Sequence, residues 1–164
     1  MILTVRRATV EDAAEMAALL NEIIAIGGTT AYEEPFDRQS MIAAYVAAPN
    51  LISCTVAEED RSLLGFQGLF RPSLDDPMPA GWAFIATFAR AARQGGGVGR
   101  ALFEETSRLA RAARVKTIDA MIRADNDSGL RYYTRLGFVD YDRLRGAPLK
   151  DGTRVDRIRK RFDL

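Results

Sequence analysis

Apolar and polar positions along the chain change period several times, and each change marks an element. Residues 2–8 read as a short strand, and Thr9-Val10-Glu11-Asp12 then supplies an N-cap and an acidic first turn. Ala13, Met16, Ala17, Leu20 and Ile24 recur at helical spacing to about Ile26, where Gly27-Gly28 ends the run. A second helix is predicted from near Asp37 to before Pro49. Between the two helices lies the loop Thr29-Thr30-Ala31-Tyr32-Glu33-Glu34-Pro35, with two adjacent carboxylates.

Leu51–Ala57 and Leu63–Phe70 flank a charged turn, Glu58-Glu59-Asp60-Arg61, and predict an antiparallel hairpin. Trp82–Ala89 reads as the next strand. Val98, Leu102, Thr106, Leu109 and Ala113 then follow a 3.6-residue period, after which Ile118, Ala120, Ile122 and Ala124 alternate as a strand. Asn126–Leu136 predicts a short helix stopped by Gly137, and Phe138–Arg143 and Val155–Phe162 are the last strands. The order is β-α-α-β-β-β-α-β-α-β-β. A helical crossover from Ala89 to Ile118 can make those two strands parallel neighbours, so the expectation is α/β: a mixed sheet with helices on its faces.

With 164 residues and 48% hydrophobic content, the chain fits one domain spanning 1–164 that can bury a core without staples. A net charge of +1 from interspersed residues argues against a dedicated nucleic-acid or membrane binder. One cysteine, Cys54, excludes an internal disulfide and reads as a small buried strand residue. The absence of histidine excludes His-based metal sites and Ser-His or Cys-His pairs, and no metal is expected. The N-terminus is too early charged for a signal segment, and no apolar run approaches ~18 residues, so a cytoplasmic location is the default.

The chemistry gathers at Arg93-Gln94-Gly95-Gly96-Gly97-Val98-Gly99-Arg100, between a predicted strand and a predicted helix. Glycines let backbone N–H groups approach an anion closely, and the helix behind them adds unpaired donors and a partial positive charge. A P-loop needs Lys and Ser/Thr after its last glycine, where Arg100-Ala101 stand. A dinucleotide fingerprint needs glycine at Arg100 or Leu102. Both fail.

The pattern that fits is Q/R-x-x-G-x-G/A, present as Gln94 to Gly99, with Asn126, Tyr133 and Gly137-Phe138 downstream at matching spacing. Here the chain resembles the GNAT superfamily of acyl-CoA-dependent N-acetyltransferases over nearly its whole length. The resemblance implies a mixed, mostly antiparallel sheet of about six to seven strands with helices on both faces, and acetyl-CoA as co-substrate. It implies that the backbone from Gln94 through Gly95, Gly96, Gly97 and Val98 to Gly99 holds the CoA pyrophosphate. By the same likeness Phe88, Ala89 and Arg90 pair with the pantetheine amides, Asn126 bonds the pantetheine arm, and Tyr133 lies near the sulfur. Tyr132 is the alternative if the register slips. Arg90, Arg93, Arg100, Arg131 and Arg135 surround this anion site.

A thiol with a pKa of roughly 8.5 leaves more readily than a phenol near 10 gives up its proton, so full transfer from Tyr133 to a thiolate is uphill by about 2 kcal/mol. Tyr133 can still hydrogen-bond the developing charge. Many GNAT relatives carry a carboxylate on the strand before the glycines. Trp82–Ala89 has none, with Phe84 near that position, so the amine's proton leaves through water or reaches Glu33, Glu34 or Asp76. Residues 29–35 loosely resemble the corresponding loop of phosphinothricin-type acetyltransferases, which makes Tyr32, Glu33 and Glu34 candidates for contacting a small amine. Two other readings stay open: acetylation of a protein N-terminus or lysine, and a non-catalytic acyl-CoA-binding module. Dimerisation is common in that family, and no segment specifies it.

Overall fold

In the computed structural model, which describes residues 2–164, the elements appear in the predicted order. They are β1 (Thr4–Arg7), α1 (Ala13–Ile26), α2 (Arg38–Met41), β2 (Leu51–Glu59), β3 (Ser62–Phe70), β4 (Trp82–Ala89), α3 (Val98–Ala112), β5 (Thr117–Arg123), α4 (Asp127–Leu136), β6 (Val139–Pro148) and β7 (Arg154–Asp163). Among the described residues the strands form one seven-stranded sheet, ordered β1-β2-β3-β4-β5-β7-β6. Every neighbouring pair is antiparallel except β4 and β5, which the α3 crossover makes parallel.

Period-two alternation divides β4 between two cores. Phe84, Ala86 and Phe88 join Met16, Leu19, Leu20 and Ile23 of α1 together with Tyr45, Cys54, Val56 and Phe66. Ala83 and Ile85 face the other way, against Phe103 and Ala110 of α3, Tyr133 of α4, and Ile118, Ala120 and Ile122 of β5. Helices therefore cover both faces of the sheet, and the β4–β5 seam lies between the two cores.

Several boundaries differ from the sequence reading. On α1 the buried stripe runs through Leu19 and Ile23, with Ile24 only partly covered, and on α3 Phe103 and Ala110 are buried more fully than Leu109. A 3-10 turn, Val10–Asp12, precedes α1, and α2 is a single turn that passes into a π turn, Ile42–Val46. β2 and β3 extend through the charged turn to leave Asp60 and Arg61 at its tip, both with positive φ (50° and 64°), as a tight hairpin requires. β6 continues to Pro148. Its first seven residues are all exposed, so no apolar alternation marked its length. No helix among the described residues is long and apolar enough to cross a membrane.

Arg6 ties β1 to the start of α1 by donating to both carboxylate oxygens of Asp12 (2.8 and 2.9 Å) and to Glu58 on β2 (3.0 and 3.1 Å). Asp12 also accepts the Thr9 N–H at 2.8 Å, closing the turn. The hydrogen bonds from Arg6 hold the Asp12 carboxyl below the usual carboxylate range. That contribution to stability is present above the unfolded value of about 3.9 and is lost as pH falls through the lower folded value. Asp12→Asn is expected to cost about 1–3 kcal/mol at pH 7. The gap between variant and wild type in urea unfolding should narrow at about pH 3; a gap of equal size at both pH values would contradict this account.

Candidate active site between two diverging strands

β4 and β5 pair over only three residues, Trp82–Phe84 against Thr117–Asp119. Beyond them β4 stays paired with β3 as far as Ala89, and β5 stays paired with β7 as far as Arg123. The two strands part, and along Ile85–Ala89 the edge of β4 that faces β5 has no strand partner. A cavity of about 530 Å³ opens in this gap, lined by Phe84–Ala89 on one side and Asp119 and Met121–Arg123 on the other.

The glycine turn stands at the end of β4. A 3-10 turn, Ala91–Arg93, leads into Gln94, and Gly95 and Gly97 adopt φ of +85° and +86°, a left-handed conformation that costs side-chain-bearing residues. Gly97 caps α3 without a side-chain hydrogen bond. The first helical bond runs from Ala101 N–H to the Gly97 carbonyl, which leaves the amides of Val98, Gly99 and Arg100 without intrahelical acceptors. Such a turn suits an anionic group, and the open edge of β4 suits an extended chain carrying amides.

α4 brings the tyrosines. Tyr133 is buried against Phe138, and its hydroxyl meets Thr87 Oγ1 of β4 at 2.8 Å, across the parting of the strands. Burial, opposed by the Thr87 hydrogen bond, raises its pKa far above the ordinary phenol value. Tyr132 donates to the Gly99 carbonyl at 2.7 Å, and burial pushes its pKa up to about 12. Asn126 caps α4: its Oδ1 accepts from Gly129 N–H at 3.0 Å and Ser128 Oγ at 3.1 Å, and its Nδ2 donates to the Thr29 carbonyl at 3.0 Å. A Cβ on Gly129 would lie 2.4 Å from that Nδ2, so the glycine makes room for the cap.

Phe88, Ala89, Gln94, Gly99, Asn126, Tyr133 and Tyr32 all line this one cavity, as does the alternative tyrosine, Tyr132. Gly95, Gly96 and Gly97 form the exposed turn beside Gln94, with Arg100 exposed on the first turn of α3, while the Val98 side chain is buried beside Leu64 and Leu102. Three candidates point elsewhere. Arg90 donates to Glu22 and to the Leu63 carbonyl, and the carboxylates of Glu33 and Glu34 turn to the backbone N–H and the ammonium of Lys150. Arg93 lines the cavity while paired to Glu59 at 2.6 Å. The Cys54 thiol, pushed up to about 12 by burial, lies outside the cavity lining.

The cavity also holds residues that the sequence reading passed over. Asp119, 1% exposed, stands opposite Phe84 and accepts one hydrogen bond from Tyr141 Oη and two from Arg159, each of those two at 3.1 Å; Arg159 also bridges to Asp76. Asp119, the one polar position between Ile118 and Ile122, was the available signal for that wall. Arg157 and Thr87 also line the cavity.

A family model described as the acetyltransferase (GNAT) family matches residues 17–138. A Bacillus subtilis (strain 168) protein, "Putative phosphinothricin acetyltransferase YwnH", is 26% identical over 157 residues, 94% of this chain and 94% of its own. The structure of yncA from Salmonella typhimurium with its cofactor acetyl-CoA has a TM-score of 0.84 at 21% identity, covering 99% of this chain and 94% of its own. A phosphinothricin acetyltransferase (Pat) from Sinorhizobium meliloti in complex with AcCoA has a TM-score of 0.83 at 20% identity, covering 100% and 89%. These likenesses extend the same fold over the whole sheet.

Gly99 is required by contact rather than by backbone angle, since a Cβ there would sit 2.5 Å from the Tyr132 ring. Gly99→Ala is expected to displace that ring and destabilise the protein by about 1–3 kcal/mol. Thermal unfolding checks it, and an unchanged Tm would show that the ring yields without cost.

Proposed function

The chain belongs to the GNAT acetyltransferase family, and on that premise we propose that it acetylates the primary amine of a small molecule, using acetyl-CoA, with both substrates bound together. The observation that carries this reading is the parting of β4 and β5, which sets an unpaired strand edge, an uncapped glycine turn and the Tyr133 hydroxyl along one cavity. Acetyl-CoA, when bound, supplies an acetyl thioester for the amine to attack. The amides from Gln94 to Gly99 hold its pyrophosphate, the Phe88–Arg90 backbone orients the pantetheine arm, and the spare N–H of Asn126 bonds it. Tyr133 Oη donates a hydrogen bond to the sulfur as negative charge develops there.

On the amine side, Asp119 already accepts three hydrogen bonds, one from Tyr141 and two from Arg159, so its oxygens are committed to those neighbours. The amine's proton therefore leaves to water, as expected for a β4 strand without a carboxylate. Glu33 and Glu34, engaged by Lys150, do not serve as the base, and Tyr32 rather than either of them contacts the acceptor. Arg93, Arg123 and Arg159 are ion-paired, whereas Arg157 on the same cavity has no ion pair among the described residues. Together with relatives named for phosphinothricin, this supports an acceptor that carries an anionic group beside its amine. The reading extends to one acetyltransferase domain over residues 1–164, working in the cytoplasm, alone or as a homodimer.

CoA release from acetyl-CoA is to be measured across phosphinothricin, amino acids, polyamines, amino sugars and peptides. Turnover is expected with a small anionic amine. Turnover only with peptides would replace that acceptor, CoA binding without any turnover would favour a binding module, and no CoA binding would sink the reading. Tyr133→Phe should lower kcat by about 10- to 10³-fold while CoA affinity at pH 7 changes little. Unchanged turnover at saturation would remove Tyr133 from the chemistry.

A further inference from the structure

Two adjacent tyrosines line the cavity, and either hydroxyl is a formal proton donor. A buried side chain outside the cavity lining separates them. Gln67, in the middle of β3, is fully buried, and its Nε2 donates to Thr87 Oγ1 at 2.8 Å and to Tyr132 Oη at 3.2 Å. Both N–H groups of the amide are thereby used, and only its Oε1 is left without a partner. The opposite orientation of the amide would strand two buried N–H donors in place of one carbonyl oxygen, and is the costlier arrangement.

With Gln67 so placed, the remaining protons can be counted. Thr87 Oγ1 accepts the Gln67 N–H, and of its two side-chain partners only Tyr133 Oη, at 2.8 Å, can accept in return, so the Thr87 proton is satisfied by going there. Tyr133 then has an accepted hydrogen bond and an unused O–H, and it lines the cavity. Tyr132 also accepts from Gln67, but its single proton is spent on the Gly99 carbonyl at 2.7 Å.

We propose that Gln67 is a positioning residue that, through Thr87, directs the Tyr133 hydroxyl proton into the cavity and leaves Tyr132 with none to give. The inference rests on the reading of Tyr133 as the group that meets the sulfur. In Gln67→Leu the Thr87 hydroxyl is free to turn, Tyr133 can spend its proton on Thr87, and the donor is lost for part of the time.

The test uses purified full-length variants, the acceptor found in the panel, and CoA binding by calorimetry. Gln67→Leu should lower kcat by about 5- to 20-fold with the KM for acetyl-CoA within about twofold, and should have no further effect in Tyr133→Phe. Binding supplies a readout without turnover. A donor facing the thiolate makes wild-type affinity for CoA rise about three- to tenfold between pH 7 and pH 9.5, as the free thiol near 8.5 ionises. Desulfo-CoA should show no such rise, and both Gln67→Leu and Tyr133→Phe should lose most of it. Thr87→Val should behave as Gln67→Leu does and Thr87→Ser should recover most of the loss, a pair that decides the matter if Gln67→Leu does not fold. A full pH-dependent rise in Gln67→Leu or Thr87→Val, or an equal loss of kcat with and without Tyr133, would overturn the proposal. A full rise and unchanged kcat in Tyr133→Phe itself would overturn the role of Tyr133 as well, and the two failures are thus distinguishable.

Discussion

Everything at the site depends on a parallel ladder that stops after three residues. Parallel neighbours need a crossover between them, and here α3 is that crossover, entered through the glycine turn. The short ladder holds Phe84 beside Asp119 and fixes where the gap begins. Past that point β4 has a free edge in the interior of a sheet, a feature that proteins ordinarily pair, cover or charge. In this chain the edge is walled by α4 and the loop before α2, so that it faces a cavity rather than another molecule's strand.

The gap also divides the chemistry by face. Ala83, Ile85 and Thr87 alternate toward the side of α3 and α4, which carries the tyrosines and the glycine turn, while Phe84, Ala86 and Phe88 face α1 and Tyr32. On β5 the same alternation sends Ile118 and Ala120 to one core, with Ile122 at the edge where that core meets the cavity, and Asp119, Met121 and Arg123 to the cavity. A donor approaching from the glycine turn and an acceptor approaching from the arginines of β5 and β7 would meet where the ladder ends. The two-residue period of the strands alone is enough to set Tyr133 on one side of the gap and Tyr32 with the arginines of β5 and β7 on the other.

How much of this was legible in the chain follows from the range of each interaction. The glycines, Asn126 and Gly137 act through local backbone geometry, so their spacing carried the signal and located Tyr133 four residues before Gly137, and the element order followed from periodicity. Asp119, Thr87 and Gln67 are single polar residues inside apolar strands. Their partners, such as Tyr132 to Gln67 at a separation of 65 residues, come only from tertiary packing. Glu33 and Glu34 show the converse. Their adjacency suggested recognition of a cation, and Glu34 does meet one, but it is the Lys150 ammonium at the β6–β7 turn, more than a hundred residues away, while Glu33 accepts the backbone N–H of the same residue.

The two tyrosines show why residue type alone does not assign a donor. Both are buried, both pKa values are raised by burial, and both hydroxyls are protonated at neutral pH. Only the destination of the proton differs. Tyr132 gives its proton to Gly99 and packs its ring where a Cβ on that residue would stand, so it ties α4 to the first turn of α3. The same hydrogen bond that spends that proton therefore holds the glycine turn at a fixed distance from the neighbouring Tyr133. Under this arrangement one tyrosine sets the geometry and the other is left with a proton to donate, and a buried amide on a third element distinguishes them.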